Sequence, residues 1–137
     1  MHIYWTDHFD TGNALVDEHH KGIFDKINEL FDAVERGEEK GALQSLIISF
    51  ESFLISHFAL EEALQLRCGY SEYAAHSNQH LQLAHEFSGL RKLSEREDTV
   101  HRFAVIGRDF LKDWFETYMA HLNMADRQLA DFLKARM

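Results

Sequence analysis

The sequence predicts an all-α fold, an antiparallel up-down-up-down four-helix bundle with an N-terminal arm. Three observations carry this. The 137 residues include no proline, so nothing breaks a helix from within. Glycine and polar clusters punctuate the chain at only three places, residues 36–41, 68–71 and 94–98. The long segments between them repeat apolar residues with helical period, and none alternates with period two over a strand's length.

Residues 1–15 read as an arm that packs on the bundle through Trp5, Phe9 and Leu15. The bundle then spans 16–137. In the first helix His20, Phe24, Ile27, Phe31 and Val34 recur at steps of four and three. Asp17, with His20 and Lys21 behind it, opens this helix, and Gly37 or Gly41 closes it. The second helix carries Ile47, Phe50, Leu54, His57, Glu61 and Leu64 on one stripe. Ser71 and Glu72 form the N-cap region of the third, whose stripe is Tyr73, His76, His80, Leu83, Phe87 and Leu90. Asp98 begins the fourth, with Phe103, Phe110, Trp114, Tyr118 and His121. Short connectors force sequential helices to run antiparallel. No repeat, low-complexity stretch or linker marks a second domain, so 1–137 is expected to be one domain.

Composition excludes several classes. There are 14 Lys and Arg against 23 Asp and Glu, a net charge of −9. That balance argues against binding nucleic acid or a basic membrane-surface role. One cysteine, Cys68, excludes an intramolecular disulfide framework and a Cys-rich zinc site. No run of about 18 apolar residues predicts a membrane span. The start of the chain lacks the basic and apolar regions of a secretory signal, so a cytoplasmic setting is expected.

The stripes contain a conflict. His20, His57, Glu61, His76, His80 and His121 fall in phase with Phe, Leu, Ile and Trp, and a bundle buries those stripes. An unpaired buried carboxylate or imidazole costs several kcal/mol. One such histidine is usually a hydrogen-bonded structural residue. Six groups converging from four helices point instead to a metal, since imidazole and carboxylate suit iron, copper or zinc. His57 with Glu61, and His76 with His80, are i,i+4 pairs that project from one helical face. His121 and Asp126 stand five residues apart, an angular step of about 140° on an ideal helix. A π-bulge would re-aim Asp126 towards the others, and a continuous ideal helix there would count against it. Five histidines and two carboxylates exceed what one metal holds. Two metals sharing both carboxylates, with a solvent-derived oxide or hydroxide between them, use all seven groups and leave one position open on one metal.

At this point the residues resemble a known family. Val16-Asp17-Glu18-His19-His20-Lys21, then His57-Phe58 with Glu61-Glu62, then Tyr70 before His76 and His80, then His121-Leu122 with Asp126 together resemble the hemerythrins, most closely the bacterial branch. The Trp5-Thr6-Asp7 opening and the Phe110-Leu111-Lys112-Asp113-Trp114 run are similar to that branch too. Two positions depart from the usual pattern. Tyr118 stands where a tryptophan is usual, with Trp114 a turn earlier, and Ser71 stands where proline often follows the tyrosine.

The resemblance implies a non-haem di-iron centre that binds O2 reversibly. His76, His80 and His121 would hold one iron, and His20 and His57 the iron with the open position. Glu61, Asp126 and an oxo or hydroxo group would bridge the two irons. It implies O2 storage, transport or delivery, with no enzymatic activity. The alternatives are an O2- or redox-sensing module of a signalling protein, and a di-iron peroxidase or oxidase. Five neutral imidazoles and two carboxylates fit binding better than oxidation, because anionic oxygen ligands stabilise high oxidation states. Ile23 and Phe58, near His20 and His57 in sequence, are candidates for an apolar O2 pocket wall, against the plainer reading as ordinary core residues. His2, His8, His19, His85 and His101 are expected to lie at the surface or behind the ligands. Cys68 is expected to be a spectator in a connector. Tyr70, Tyr73 and Tyr118 are expected at the core edge, where one could hydrogen-bond a ligand carboxylate.

Overall fold

A computed structural model describes residues 3–96 and 100–135, with side chains left out from 100 to 104. The Asp98 cap, His2, and the side chains of His101 and Phe103 lie outside the described residues. A 3-10 turn at Asp7–Phe9 precedes α1 (Ala14–Glu35), α2 (Lys40–Cys68), α3 (Tyr73–Arg96) and α4 (Val100–His121). A π-helical segment, Leu122–Asp126, leads directly into α5 (Arg127–Ala135). The expected fourth helix is therefore α4, the π segment and α5 in succession. Each of α1–α4 packs against its neighbours in sequence, and α1 closes the ring against α4. The described residues contain no strand, in agreement with the all-α bundle.

The helix ends follow local chemistry. Asn13, not Asp17, caps α1, its side chain accepting from the Val16 amide at 3.1 Å. Asp17 lies in the first turn and accepts from both the amide and the hydroxyl of buried Thr11, at 2.9 and 2.7 Å. Its carboxylate ties the arm to the helix, which is why it does not serve as the cap. The expected boundary at residue 16 moves accordingly to Ala14. Leu15 is 52% exposed and packs no arm. Gly37 and Gly69 close α1 and α2 with φ of 68° and 67°. At each end the next amide reaches back, Glu38 to Ala33 and Tyr70 to Gln65, a Schellman pattern that a side chain with Cβ would strain.

The arm covers one end of the bundle. Ile3, Trp5 and Phe9 pack on the core, and Trp5 and Phe9 meet Phe24 at 5.4 and 5.3 Å between ring centroids. Arg127 holds the arm down, its guanidinium donating to the carbonyls of His8 and Asp10. The remaining core is aromatic and aliphatic, centred on Phe31, Phe50, Phe87 and Leu90. Cys68 is the last residue of α2 and packs with Tyr70, Leu129 and Leu133, rather than standing in a loop.

An 18-residue stretch of α2 has a mean hydropathy of 1.4, enough by length and composition to cross a membrane. It is not a continuous apolar run, because Ser49, Glu51, Ser52, Ser56 and His57 interrupt it. The helix is a bundle element packed between α1 and α3. Its buried stripe includes His57 and Glu61.

Candidate metal centre

The seven groups singled out in the sequence meet at the end of the bundle beneath the arm. His20 lies near the start of α1, and His57 and Glu61 in the second half of α2. His76 and His80 open α3, and His121 ends α4. These six and Asp126 are all 6% exposed or less. Antiparallel packing accounts for this meeting, since it sets the starts of α1 and α3 beside the ends of α2 and α4.

Asp126 arrives through the π segment. The wider turn inserts the extra residue that an α-helix would have to skip. It brings Asp126 Oδ1 to 3.0 Å from His121 Nε2, so the geometric condition set by the five-residue spacing is met.

The two carboxylates lie between two groups of imidazoles. Glu61 Oε2 faces His20 Nε2 at 3.1 Å and His57 Nε2 at 3.4 Å. Its other oxygen, Oε1, faces His80 Nε2 at 3.2 Å and His76 Nε2 at 3.8 Å. Asp126 repeats the pattern. Its Oδ1 faces His76 at 2.8 Å and His121 at 3.0 Å, and its Oδ2 faces His20 at 3.4 Å. Each carboxylate therefore offers one oxygen to each histidine group.

Several of these atoms are close without being hydrogen-bonded. His57 Nε2, His80 Nε2, His121 Nε2, Glu61 Oε1 and Asp126 Oδ2 are buried and make no hydrogen bond of acceptable geometry. Buried polar atoms are normally satisfied. Donor atoms that converge on shared points without pairing with one another fit a cation placed between them. Donor atoms of Glu61, His76, His80, His121 and Asp126 lie within 4.8 Å of one another, and so do those of His20, His57 and Glu61. Imidazole and carboxylate suit a divalent transition metal.

The protons of the metal-free cluster follow the same geometry. Burial opposes charge on His20, but the close Asp126 and Glu61 carboxylates outweigh it and raise its pKa to about 10. Burial likewise opposes ionisation of Glu61. The His57 charge and the close approach of the His20, His57 and His80 imidazoles still hold its carboxyl well below the ordinary range. For Asp126, burial and the Glu61 charge push upward. The His121 charge and the close approach of the His121 and His20 imidazoles prevail and lower it strongly.

A second layer of contacts was not read from the sequence. His80 Nδ1 meets Glu62 Oε2 at 2.9 Å, and Ser77 donates to the other Glu62 oxygen at 2.9 Å. His121 Nδ1 meets Gln79 Oε1 at 2.7 Å. Glu62 directly follows Glu61, and Gln79 directly precedes His80. Adjacency to a candidate ligand was the available signal, but the partner histidine lies on another helix in both cases.

Other expectations can be placed. Phe58 lies flat on His80, with ring centroids 4.0 Å apart and planes at 7°, and 6.0 Å from His57. Ile23 is fully enclosed in the core, one turn after His20. His19 is half-buried against His57 and Phe53, at 5.4 and 5.7 Å. Tyr118 is fully buried rather than at the core edge and stacks on Trp114. Its hydroxyl and that of Tyr70 make no hydrogen bond among the described residues, so neither supplies the hydrogen bond to a carboxylate. Burial and the charges of Asp126 and Glu61 push the Tyr118 pKa well up.

Comparison with known proteins adds a family context. The family model of the hemerythrin HHE cation binding domain matches residues 11–133. A bacteriohemerythrin of Pseudomonas aeruginosa (strain PAO1) is 38% identical over 79 residues, covering 58% of this chain and 51% of that protein. The match thus spans about half the length of the Pseudomonas relatives. A bacteriohemerythrin of Methylococcus capsulatus (strain Bath) is 27% identical over 135 residues, 96% of each chain. A hemerythrin-like protein of Naegleria gruberi is 27% identical over 120 residues, 88% of this chain and 87% of that protein.

Proposed function

The chain belongs to the hemerythrin family, and from that premise we propose that its buried cluster holds two iron ions and binds O2 reversibly, for storage, transport or delivery rather than catalysis. The observation that carries this is the placement of the two carboxylates, each with one oxygen towards each histidine group. That arrangement supports two metals sharing both carboxylates. His76, His80 and His121 would hold one iron, His20 and His57 the other, and Glu61 and Asp126 would serve both. Two irons would supply the electrons that bind O2.

The protein's share of the chemistry is to position and to enclose. One group offers three imidazoles and the other two, so with both carboxylates shared the second group would be one ligand short. A diatomic ligand would bind on that side. The near-complete burial of the seven groups keeps bulk water from them. Ile23 and Phe58 form part of the apolar wall, and Trp5, 6.3 Å from the His20 ring, covers that side. An apolar wall retards proton delivery and so retards autoxidation.

A sensing role is the second reading. It is favoured by the contact of Arg127, next in sequence to Asp126, with the carbonyls of His8 and Asp10. A shift of Asp126 would act directly on the arm through that residue.

The test is anaerobic reduction followed by exposure to air, watched by absorption spectroscopy. A visible ligand-to-metal charge-transfer band should appear with O2 and vanish under argon. Ile23→Glu or Phe58→Ser should speed its irreversible decay. A colourless chain holding two zinc ions and no iron, even after growth in iron-rich medium, overturns the reading. Steady peroxide turnover with a reductant would favour an enzyme instead.

A further inference from the structure

The two halves of the cluster are built unequally, and the inequality lies in protein groups alone. On one side, His80 is fixed twice. Its Nδ1 donates to Glu62 at 2.9 Å, and its ring lies flat on Phe58 at 4.0 Å. Glu62 is itself held by the Ser77 hydroxyl at 2.9 Å. His121 donates Nδ1–H to Gln79 Oε1 at 2.7 Å. Each of these bonds fixes the tautomer that leaves Nε2 free and pointing inward. On the other side, neither histidine is held in this way: His20 Nδ1 and His57 Nδ1 are buried and have no hydrogen-bond partner among the described residues, as is also true of His76 Nδ1 on the first side, so two of three imidazoles are fixed there against none of two here. The two rings meet each other edge-on at 4.7 Å, and their other ring neighbours are aromatic or imidazole groups that leave Nδ1 unpaired. The number of imidazoles differs as well, three against two, with a carboxylate oxygen of Glu61 and of Asp126 facing each side.

We infer that the two metal positions differ in affinity and fill in order, the His76–His80–His121 position first, and that Glu62 and Gln79 are the positioning residues that set this order. The inference rests on the two-metal reading above. A ligand held in its binding rotamer and tautomer loses less freedom when the metal arrives. A carboxylate behind an imidazole also makes it a stronger donor. Loss of such a partner typically weakens metal binding about 10–100-fold. A chain with one metal would then carry it on the side already rich in ligands, and the His20–His57 side would be the one that empties first.

Zn2+ titration of the metal-stripped full chain, by calorimetry against a competing chelator, tests this. Two binding steps separated by tenfold or more are expected. Glu62→Gln should weaken only the tighter step, about 10-fold, and Glu62→Ala more, towards 100-fold. Gln79→Ala should act on the same step. His57→Ala should abolish only the weaker step. Thermal melts of the metal-free variants show whether the fold is intact. A merely structural role for Glu62 or Gln79 would lower the melt and weaken both steps alike. Two steps of equal affinity overturn the order of filling while leaving the two-metal reading in place. So does a tight step unchanged in Glu62→Ala and Gln79→Ala. Fewer than two Zn2+ per wild-type chain, or two steps that survive replacement of both His57 and His76 by alanine, would instead defeat the two-metal reading itself.

Discussion

At the scale of the residue, the cluster turns seven groups that would each destabilise a core into partners. Buried carboxylates and imidazoles carry a desolvation cost of several kcal/mol apiece unless paired. In the metal-free chain they pair with one another, and the direction of each pKa shift fixes how stability depends on pH. His20 is raised from 6.5 to about 10. Its contribution is therefore fully present below pH 6.5 and is lost as the pH rises towards 10. Glu61 and Asp126 are lowered from 4.5 and 3.8. Their contribution is present above those values and is lost as the pH falls below them. His19, lowered mainly by burial, opposes His20 below pH 6.5, but it is only half-buried and weighs less. The metal-stripped chain should be most stable between about pH 4.5 and 6.5. Melting temperatures recorded across that range and on either side check this. A melting temperature that climbs steadily from pH 6.5 to 10 would contradict the assigned charges.

At the scale of the element, the decisive piece is the π segment Leu122–Asp126. The spacing of His121 and Asp126 called for it, and it is present. Removing one exposed residue from it, Met124 (75% exposed), would restore α register and leave Asp126 four residues after His121, the spacing that keeps two side chains on one face. The shortened chain should keep most of its helix by circular dichroism and most of its metal by elemental analysis, whereas Asp126→Ala in the full-length chain should hold less than half. Full metal content in Asp126→Ala would show that Asp126 is not needed. Legibility at this scale was uneven, for physical reasons. Stripes of period 3.6 and glycine stops at Gly37 and Gly69 are local, so one sequence contains them. Glu62 on His80 and Gln79 on His121 depend on how two helices are set against each other, which no single stripe records. The start of α1 was misread because both Asn13 and Asp17 are good caps, and only the position of Thr11 decides between them.

At the scale of the whole molecule, the cluster joins every long helix of the bundle at one end. α1 contributes His20, and α2 contributes His57 and Glu61. α3 contributes His76 and His80, and the last helix His121 and Asp126. The other end is closed by ordinary apolar packing around Phe31, Phe50 and Leu90. The two ends should therefore respond differently to loss of metal. A ligand that binds only the folded chain stabilises it by RT ln(1 + [L]/Kd), about 4 kcal/mol at a thousandfold excess over Kd. For a domain of this size that corresponds to a melting temperature lower by roughly 10–20 °C after chelation. Hydrogen exchange should rise on chelation in the first turns of α1 and α3, the end of α2, the π segment, and the arm that Arg127 ties to it. Exchange around Phe31 and Phe50 should change far less. Uniform loosening of both ends, or an unchanged melting temperature, would mean that the bundle does not depend on the cluster for its closure, and the buried charges would then have to be satisfied by their mutual pairing alone.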